Sequence, residues 1–440
     1  MRIPVPPLPR STGVLIAADQ ATVRRNNLSL VLAQLRDAGP ASRAAIAGTT
    51  GLNKATVSSL VAELIDRMLV REVGLEYVGS AGRPPLILEL AGGGVGGLGL
   101  EVNVDHISAY AVDLAGRVLH ESRLAYDAVH TSPAAAMTAL GVVAAAAIDE
   151  MESAGATVFG ITVAIPGLVD VDRGIVTFAP NLRWRNVPVA DLLRTELRDA
   201  RIPIRVDNDA NLSALAEFWV GSDAGTRNLL YVTGEVGVGG GMIVDGQLVR
   251  GSTGFSGEVG HMQLDPNGPR CACGRVGCWE ALVGFGALLR EAAPDLDDAL
   301  RTDVMDPEDR VAEVVRRLEA GEARTVSAVA EIGRWLGVGA SILVNLFNPR
   351  VIVLGGYFAR VGPYIVDAAM DVMRGGVLAP NAAGCILSFS TLGFGAAIRG
   401  GAGVALLAIV EDPTLVPSIV EPRHTGQSEY EQGRPQGALR

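Results

Sequence analysis

His261 is followed by Cys271, Cys273 and Cys278, a spacing of H-x9-C-x-C-x4-C with Gly274 and Gly277 interleaved so that the chain can wrap. Three thiolates and one imidazole complete the tetrahedral shell of a zinc ion and leave no position for water. Such a site is structural, not hydrolytic. Four cysteines in 440 residues, three of them clustered, are metal-site arithmetic, not a secreted disulfide framework. The alternative, three unligated thiols in a glycine-rich loop, suits a reducing compartment poorly. Cys385 stands apart and reads as a small buried apolar residue.

Directly before this loop stands Gly257-Glu258-Val259-Gly260-His261, and Glu280 follows Cys278 by two residues. A second polar run, Val206-Asp207-Asn208-Asp209-Ala210-Asn211, follows an apolar strand pattern, and Asn181 sits in Pro180-Asn181-Leu182-Arg183-Trp184. Asn181, Asn208, Asp209, Glu258, His261 and Glu280 offer donors and acceptors that suit a sugar, because each hydroxyl is both. Taken singly, any of them could be a turn or cap residue, and Asn211 reads best that way.

The elements that must position these residues are soluble and well packed in composition. Hydrophobic residues are 49% and charged residues 19%, which excludes global disorder. With 54 glycines, close backbone approaches are expected. Aromatic content of 5% argues against a stacking reader of single-stranded nucleic acid. The N-terminal stretch has no apolar signal core. The longest small-apolar run, around Ala134–Ile148, reads as shorter than the ~20 residues a bilayer needs. A cytoplasmic protein with no membrane partner is the expectation.

The net charge of −11 hides a split. Residues 1–90 hold ten basic against seven acidic side chains, and the acidic excess lies in the rest. A mildly basic segment on an acidic body suggests one nucleic-acid module attached to something else. Residues 1–20 read as a flexible arm and 411–440 as a disordered tail. In 21–90, Leu28, Val31, Leu32 and Leu35 recur at helical spacing. Ser42 and Asn53 can cap two further helices, and two alternating strands follow. This is a winged helix-turn-helix pattern. Its third helix would present Lys54, the only lysine in the chain, with Ala55, Thr56, Ser58 and Ser59 to a major groove. Arg24 and Arg25 could contact phosphates, and Arg83 on the wing loop a minor groove. The plainer alternative is a protein-interaction module.

Two further blocks resemble variants of one unit. In the first, a strand through Leu98, Leu100, Val102 and Val104 continues past Ile107 to Val112 and turns at Asp113–Gly116. In the second, Asn228–Val232 and Gly239–Val244 make a hairpin that turns at Asp245-Gly246. Each is followed by helical segments, so a duplicated α/β fold with a cleft between lobes is expected. Val351–Gly356 is a buried strand ending in a glycine turn, the usual place for a ligand loop.

The run Gly237–Gly241, then Gly257–His261, then Cys271–Glu280 resembles the signature of the ROK family (repressors, open reading frames, kinases), and the winged block resembles that of its xylose-repressor-type members. The resemblance implies an α/β fold, a two-lobed actin-like ATPase (ribonuclease H-like) domain over 95–410. The lobe boundary would fall near 210, with a C-terminal helix returning to the first lobe. It implies a zinc loop that orders the sugar pocket, with Asn208, Asp209, Glu258, His261 and Glu280 at sugar-contacting positions. Asp209 matches the general base of kinase members, and His261 would hold zinc through one nitrogen and sugar through the other.

Departures from the kinase pattern separate two functions. Kinase members carry Asp-x-Gly-Gly-Thr where this chain has Glu101-Val102-Asn103-Val104-Asp105, and Gly-Thr-Gly where it has Glu235-Val236-Gly237. Tyr357 replaces a third glycine. Phosphoryl transfer depends on positioning and charge neutralisation, which added carboxylates oppose. The reading is therefore a non-enzymatic, sugar-responsive transcription factor, with Asp209 a vestigial base. Its expected partners are double-stranded operator DNA and a sugar or sugar-phosphate effector, and it would act as a homodimer or homotetramer with one structural zinc per chain. A sugar kinase with a DNA-binding appendage, and a scaffold with a vestigial pocket, are the alternatives.

Overall fold

The computed structural model describes residues 19–75, 86–295, 297–301, 307–379 and 384–418. They fall into two compact units. The smaller takes the residues up to Ala91 and those from Ile409 onward, and the larger is Gly92–Ala408.

In the smaller unit, α1 (Gln20–Ala38) starts where the Asp19 carboxylate accepts the Thr22 N–H at 2.7 Å. β1 (Ala41–Ser42) leads into α2 (Arg43–Thr50), capped by Ser42 and ended by Gly51 in the left-handed region at φ 75°. The Asn53 side chain accepts the Thr56 N–H at 2.8 Å and starts α3 (Lys54–Asp66). Each cap satisfies a first-turn donor that has no partner inside its helix. Leu28, Val31, Leu32, Leu35, Ile46, Val57, Leu60, Val61 and Leu64 are buried, so the three helices close on one small core. β2 (Val70–Leu75) and β3 (Leu86–Leu90) pair antiparallel, and β1 joins the other edge of β3. This is the winged helix-turn-helix arrangement; the loop segment with Arg83 lies outside the described residues.

The two chain ends correct the expected boundaries. Helix α1 already begins at Gln20, with Asp19 as its cap, inside the segment expected as an arm. Ordered structure also continues past 411: Pro413–Leu415 forms a helical turn, and Pro413 and Val416 are buried. The Arg67 guanidinium donates to the carbonyl oxygens of Thr414, at 3.3 Å, and of Val416. Backbone carbonyls hold this segment, and they leave no mark in the side-chain pattern.

The larger unit repeats one topology. β4 (Val95–Val102), β5 (His106–Asp113) and β6 (Val118–Ala125) form an antiparallel meander. α4 (Pro133–Ser153) then leads to β7 (Thr157–Ile165), parallel to β4. A separate small sheet of β8 (Leu168–Asp170), β9 (Ile175–Ala179) and β10 (Trp184–Val187) follows. After α5 (Val189–Glu196), β11 (Ile204–Asn208) completes the order β11-β7-β4-β5-β6. α6 (Asp209–Val220) crosses to the second sheet, β12 (Leu229–Gly234), β13 (Val238–Val244), β14 (Gln247–Leu248), β15 (Val351–Gly356) and β16 (Ile386–Phe389), in the order β14-β13-β12-β15-β16. In both sheets the first strand pairs antiparallel with the second and parallel with the fourth, as a duplicated fold requires. α7 (Trp279–Val283), α8 (Phe285–Ala292), α9 (Pro307–Glu319) and α10 (Ala323–Phe347) lie between β14 and β15. α11 (Tyr357–Gly376) and α12 (Ala396–Glu411) follow β15 and β16 respectively.

The single strand expected from Leu98 to Val112 is two strands. The chain reverses at Asn103–Asp105, where the Asn103 N–H donates to the His106 carbonyl at 2.9 Å and the Asn103 side chain accepts the Val104 N–H at 2.8 Å. The turn is largely buried and has neither Gly nor Pro, so Asn103 and Asp105 are its only turn-forming residues. Glycine instead serves close approach. A Cβ on Gly99 of β4 would stand 1.9 Å from the Ile398 carbonyl oxygen, and one on Gly400 would stand 1.9 Å from that of Leu212. Helix α12 thus packs against both the first sheet and α6.

Three helices, Pro133–Ser153, Ala323–Phe347 and Gly393–Glu411, are long and apolar enough to cross a membrane by length and composition, which corrects the reading that no segment reached that length. Within the fold they pack on other elements: α4 lies against β4, β5 and β6, and α10 against α8 and α11.

Candidate functional site

The loop between β14 and α7 is built to converge. A helical turn at Val259–His261 and the isolated bridges Gln263 to Cys278 and Arg270 to Val276 fold it back on itself. Gly277, at φ 68°, would place a Cβ 1.5 Å from the Asp265 carbonyl oxygen, so no other residue fits there. The ligand atoms of His261, Cys271, Cys273 and Cys278 all lie within 4.8 Å of one another. Cys273 and Cys278 sulfurs are 3.7 Å apart, as are Cys271 Sγ and His261 Nδ1. A zinc ion with bonds of about 2.3 Å to sulfur spaces its ligand atoms about 3.8 Å apart along a tetrahedral edge, so this donor set fits that ion. The other imidazole nitrogen, Nε2, lies 3.8 Å from a Glu258 oxygen.

Next to the cysteines, a pocket opens between the two lobes. Asn181, Asn208, Asp209, Glu258, His261 and Glu280 all line it, together with Gly237, Val238, Gly239, Gly240, Gly257, Thr233 and Glu235. Glu280 joins the two sites: the Cys271 thiol donates to Oε1 at 3.2 Å, and Oε2 accepts the Val238 N–H at 3.2 Å. A Cβ on Gly237 would stand 2.4 Å from Glu280 Oε2 and 2.9 Å from Asn181 Nδ2, so the glycine keeps both groups in place. Asn208 lines the pocket with its side chain already committed. Its oxygen caps α6 by accepting the Asn211 N–H at 3.0 Å, and its amide donates to the Gly167 carbonyl at 3.1 Å. Burial, then the charges of Glu235 and Glu101, push Asp209 up to about 8. Burial and neighbouring Glu280 also raise Glu258. A bidentate pair, Arg250 to Asp207 at 2.9 and 2.6 Å, ties the loop after β14 to the end of β11 beside Asn208.

The turns after β4 and β12 meet at the deep end of the cleft. Asn103 Nδ2 donates to Glu235 Oε2 at 2.7 Å and to Glu101 Oε1 at 3.2 Å. Behind them His106 Nδ1 lies 2.8 Å from Asp105 and Nε2 lies 3.6 Å from Glu101. Ser108 donates to Glu101 at 3.0 Å, and Arg310 lies 3.9 Å from Asp105. Burial opposes charge on His106, but hydrogen bonds to Asp105 and Glu101 outweigh it and hold the imidazolium up to about 9. Burial also opposes charge on Glu101 and Asp105, yet His106 keeps both below the usual range. Asp105 is therefore neutralised by side chains of the protein and does not project as a bare charge. His106, Arg123 and Arg310 were missed in the sequence. His106 next to Asp105 was the available signal; Arg123 reaches the group from β6, opposite Ser108 of β5, and Arg310 comes from a distant helix that gave none.

On α3, Lys54, Ala55, Ser58 and Ser59 are exposed and Thr56 is half-buried. Lys54 makes no ion pair among the described residues. The arginines of α1 are engaged: Arg24 pairs with Glu63 and its guanidinium lies 3.5 Å from Ser59 Oγ, and Arg25 lies 3.8 Å from Asp412. Both arginine side chains remain about half exposed.

Two repeats of one sheet enclosing a polar cleft, with a His/Cys loop at its rim, define a sugar-kinase-like body, preceded in the chain by a winged helical unit. The ROK family model matches residues 97–407, and the chain belongs to the ROK family. It is 32% identical over 351 residues to a xylose repressor from Bacillus spizizenii, covering 80% of this chain and 87% of that protein. Among solved structures, a ROK family transcriptional regulator homologous to the E. coli MLC protein superposes with a TM-score of 0.71 at 25% identity, over 88% of this chain and 97% of its own. A ROK family glucokinase from Streptomyces griseus, solved with glucose and AMPPNP, gives 0.60 at 27% identity, over 71% of this chain and 99% of its own. Relatives thus include both repressors and kinases.

Proposed function

We propose that this protein is a sugar-responsive DNA-binding regulator, a repressor of genes for carbohydrate uptake or catabolism, acting in the cytoplasm as a homodimer or homotetramer. One observation carries the reading. The sugar end of the cleft presents open polar groups, while the end where a kinase would cradle phosphates is filled by Glu101, Asn103, Glu235 and their partners. A winged unit over 21–90 completes it. Helix α3 would read operator bases through Lys54, Ala55, Thr56, Ser58 and Ser59, with Arg83 on the wing, and dimerisation would supply two half-sites. His261, Cys271, Cys273 and Cys278 would hold a structural zinc that fixes the pocket rim. A sugar acts by binding one state of the protein more tightly than the other, and DNA affinity shifts by the same coupling.

The second reading, a kinase, rests on Asp209 and on the glucokinase likeness. One experiment separates them. Genomic fragments are selected on the purified protein with and without a mixed sugar pool at fixed salt, and ADP release is assayed on the same preparation. Discrete sites lost on adding sugar, with no ADP release, are expected. ADP release over common hexoses without site enrichment would favour the kinase. Glu258→Ala should abolish release by sugar and leave operator affinity intact; a variant that responds normally would overturn the pocket assignment.

A further inference from the structure

Charged side chains join the two lobes at the deep end of the cleft. On the first lobe, Arg123 stands on β6 and Asp105 on the turn before β5. On the second, Glu308 and Arg310 stand at the start of α9. Arg123 Nη1 lies 2.8 Å from Glu308 Oε1, and Arg310 Nη2 lies 3.9 Å from Asp105 Oδ2. The Asn103–Glu235 hydrogen bond, 2.7 Å, is a third link between the lobes beside them. We infer that these contacts form a releasable latch, which biases the ligand-free protein toward the closed arrangement of its lobes. Only the effect of the latch on sugar affinity rests on the sugar-pocket reading above.

Both anchors are tied to their own lobes. β6 pairs with β5 from His106 opposite Ala125 to Val112 opposite Val118, and α4 packs against it. Helix α9 buries Val311, Val314 and Leu318 in the core that also holds Leu230 of β12 and Ile352 of β15. Neither end can move far without its lobe, so the ion pairs are sensitive to the angle between the lobes. The latch also stands beside a crossing of the chain. Phe394, in the segment that returns to the first lobe, has its ring 5.3 Å from the Arg123 guanidinium.

The pairing is suited to release. The Glu308 side chain is 60% exposed, and Nε of Arg123 and Nε of Arg310 are each buried with no hydrogen-bond partner among the described residues. Such pairs contribute little singly, act together when clustered, and weaken with salt. Arg250 makes the contrast. It also links the lobes, but it grips the buried Asp207 with both terminal nitrogens, at the end of β11 where the chain crosses into α6. That pair is a fixed joint. The latch acts on the pocket through the lobes, since Asn181 and Asn208 line it from the first and Glu258 and Glu280 from the second. A ligand that touches both sides binds the closed arrangement, and its apparent affinity scales with the closed fraction. The latch raises that fraction without touching the ligand.

The test uses the full-length protein with spin labels on unnatural residues at Ala146 of α4 and Glu319 of α9, both exposed, so that the cysteines are untouched. Labelled chains are diluted with unlabelled protein, so that pulsed electron resonance reads pairs within one chain. Without sugar and at low salt, the native protein should give one main distance. Glu308→Arg and Arg310→Met, each checked for native folding, should add a longer one. So should about 1 M salt, where the screening length falls to about 3 Å. Glu331→Gln, which removes an exposed pair inside the second lobe, should not. Calorimetry with glucose, xylose and N-acetylglucosamine, each alone, should show Glu308→Arg binding about threefold or more weakly any of them that the native protein binds. Distances unchanged in both variants and in salt would overturn the latch. A longer distance with unaltered sugar affinity would overturn its link to the pocket. Binding of none of these sugars by the native protein would count against the sugar-pocket reading, and the sugar-free distances would still decide the latch.

Discussion

The two ends of the cleft solve the problem of buried polar groups in opposite ways. At the deep end, Asn103, Glu101, Asp105, His106 and Ser108 bond to one another, so the charges are matched inside the protein. At the sugar end, Asn181 makes no side-chain hydrogen bond among the described residues, and Asp209 carries a carboxylate that its surroundings disfavour. A matched network needs no ligand. An unmatched one is a standing demand for a partner that brings hydroxyl donors. Within one duplicated fold, the turn at Asn103–Asp105 is internal structure, while the side with Asn181 and Asp209 is the one proposed above to bind sugar.

The largest effect that would sharpen this contrast is loss of the metal site. Cys278 is fully buried and Cys271 nearly so, and Glu280 is held from the same loop. Structural zinc sites contribute apparent binding energies of about 10–16 kcal/mol in small domains, so much of the order of this loop should depend on the ion. Elemental analysis should find about one zinc per chain, from the four ligands of a closed site. Chelation, or Cys278→Ser, should abolish sugar binding while the first lobe, with its His106 network, keeps its fold by hydrogen exchange. Protein that is metal-free as purified yet binds sugar normally would break the contrast at its rim.

A smaller effect compares two asparagines. Asn103 donates to two buried carboxylates, and Asn103→Ala leaves both without that donor, at a cost of about 1–3 kcal/mol in unfolding free energy. Asn181→Ala should change the stability of the sugar-free protein by no more than about 0.5 kcal/mol. It should, however, remove part of the stabilisation that sugar confers. Equal costs for the two substitutions in denaturant titrations would mean that the two ends do not differ as described.

Much of this was legible in the sequence because the signals were local. Ser42 and Asn53 cap the helices they precede, and the spacing of His261, Cys271, Cys273 and Cys278 brings four ligands together. The duplicated sheets were legible as repeated hairpins. What escaped was long-range or hidden by burial. The reversal at Asn103–Asp105 lacks Gly and Pro and is largely buried, so Asn103 and Asp105 alone did not mark it as a turn within an apolar strand pattern. The pairing of Arg24 with Glu63 joins residues 39 positions apart, and nothing in the sequence marks it. The return of Thr414 and Val416 to Arg67 spans nearly 350 positions and uses main-chain oxygens.

The smallest effect is in the pH dependence of stability, and its sign differs from that of an ordinary carboxylate. Asp209 is raised from 3.8 to about 8 and Glu235 from 4.5 to about 7, chiefly by burial and then by like charges, Glu235 foremost for Asp209 and Glu101 foremost for Glu235. Between the ordinary and the raised values the folded protein holds protons that the unfolded chain has released. Stability therefore falls as pH rises across that window. His106 adds a later loss. Its folded value of about 9 lies above the ordinary 6.5, so its contribution is complete below 6.5 and disappears as pH climbs through about 9. The buried carboxylates Asp209 and Glu235 and the imidazole of His106 thus occupy different windows. The double variant Asp209→Asn, Glu235→Gln should flatten the fall between about pH 4 and 8 and leave the part belonging to His106, which extends to about pH 9. Denaturant midpoints measured across this range would show it. A slope unchanged by the double variant would mean that Asp209 and Glu235 are not held protonated in the folded protein.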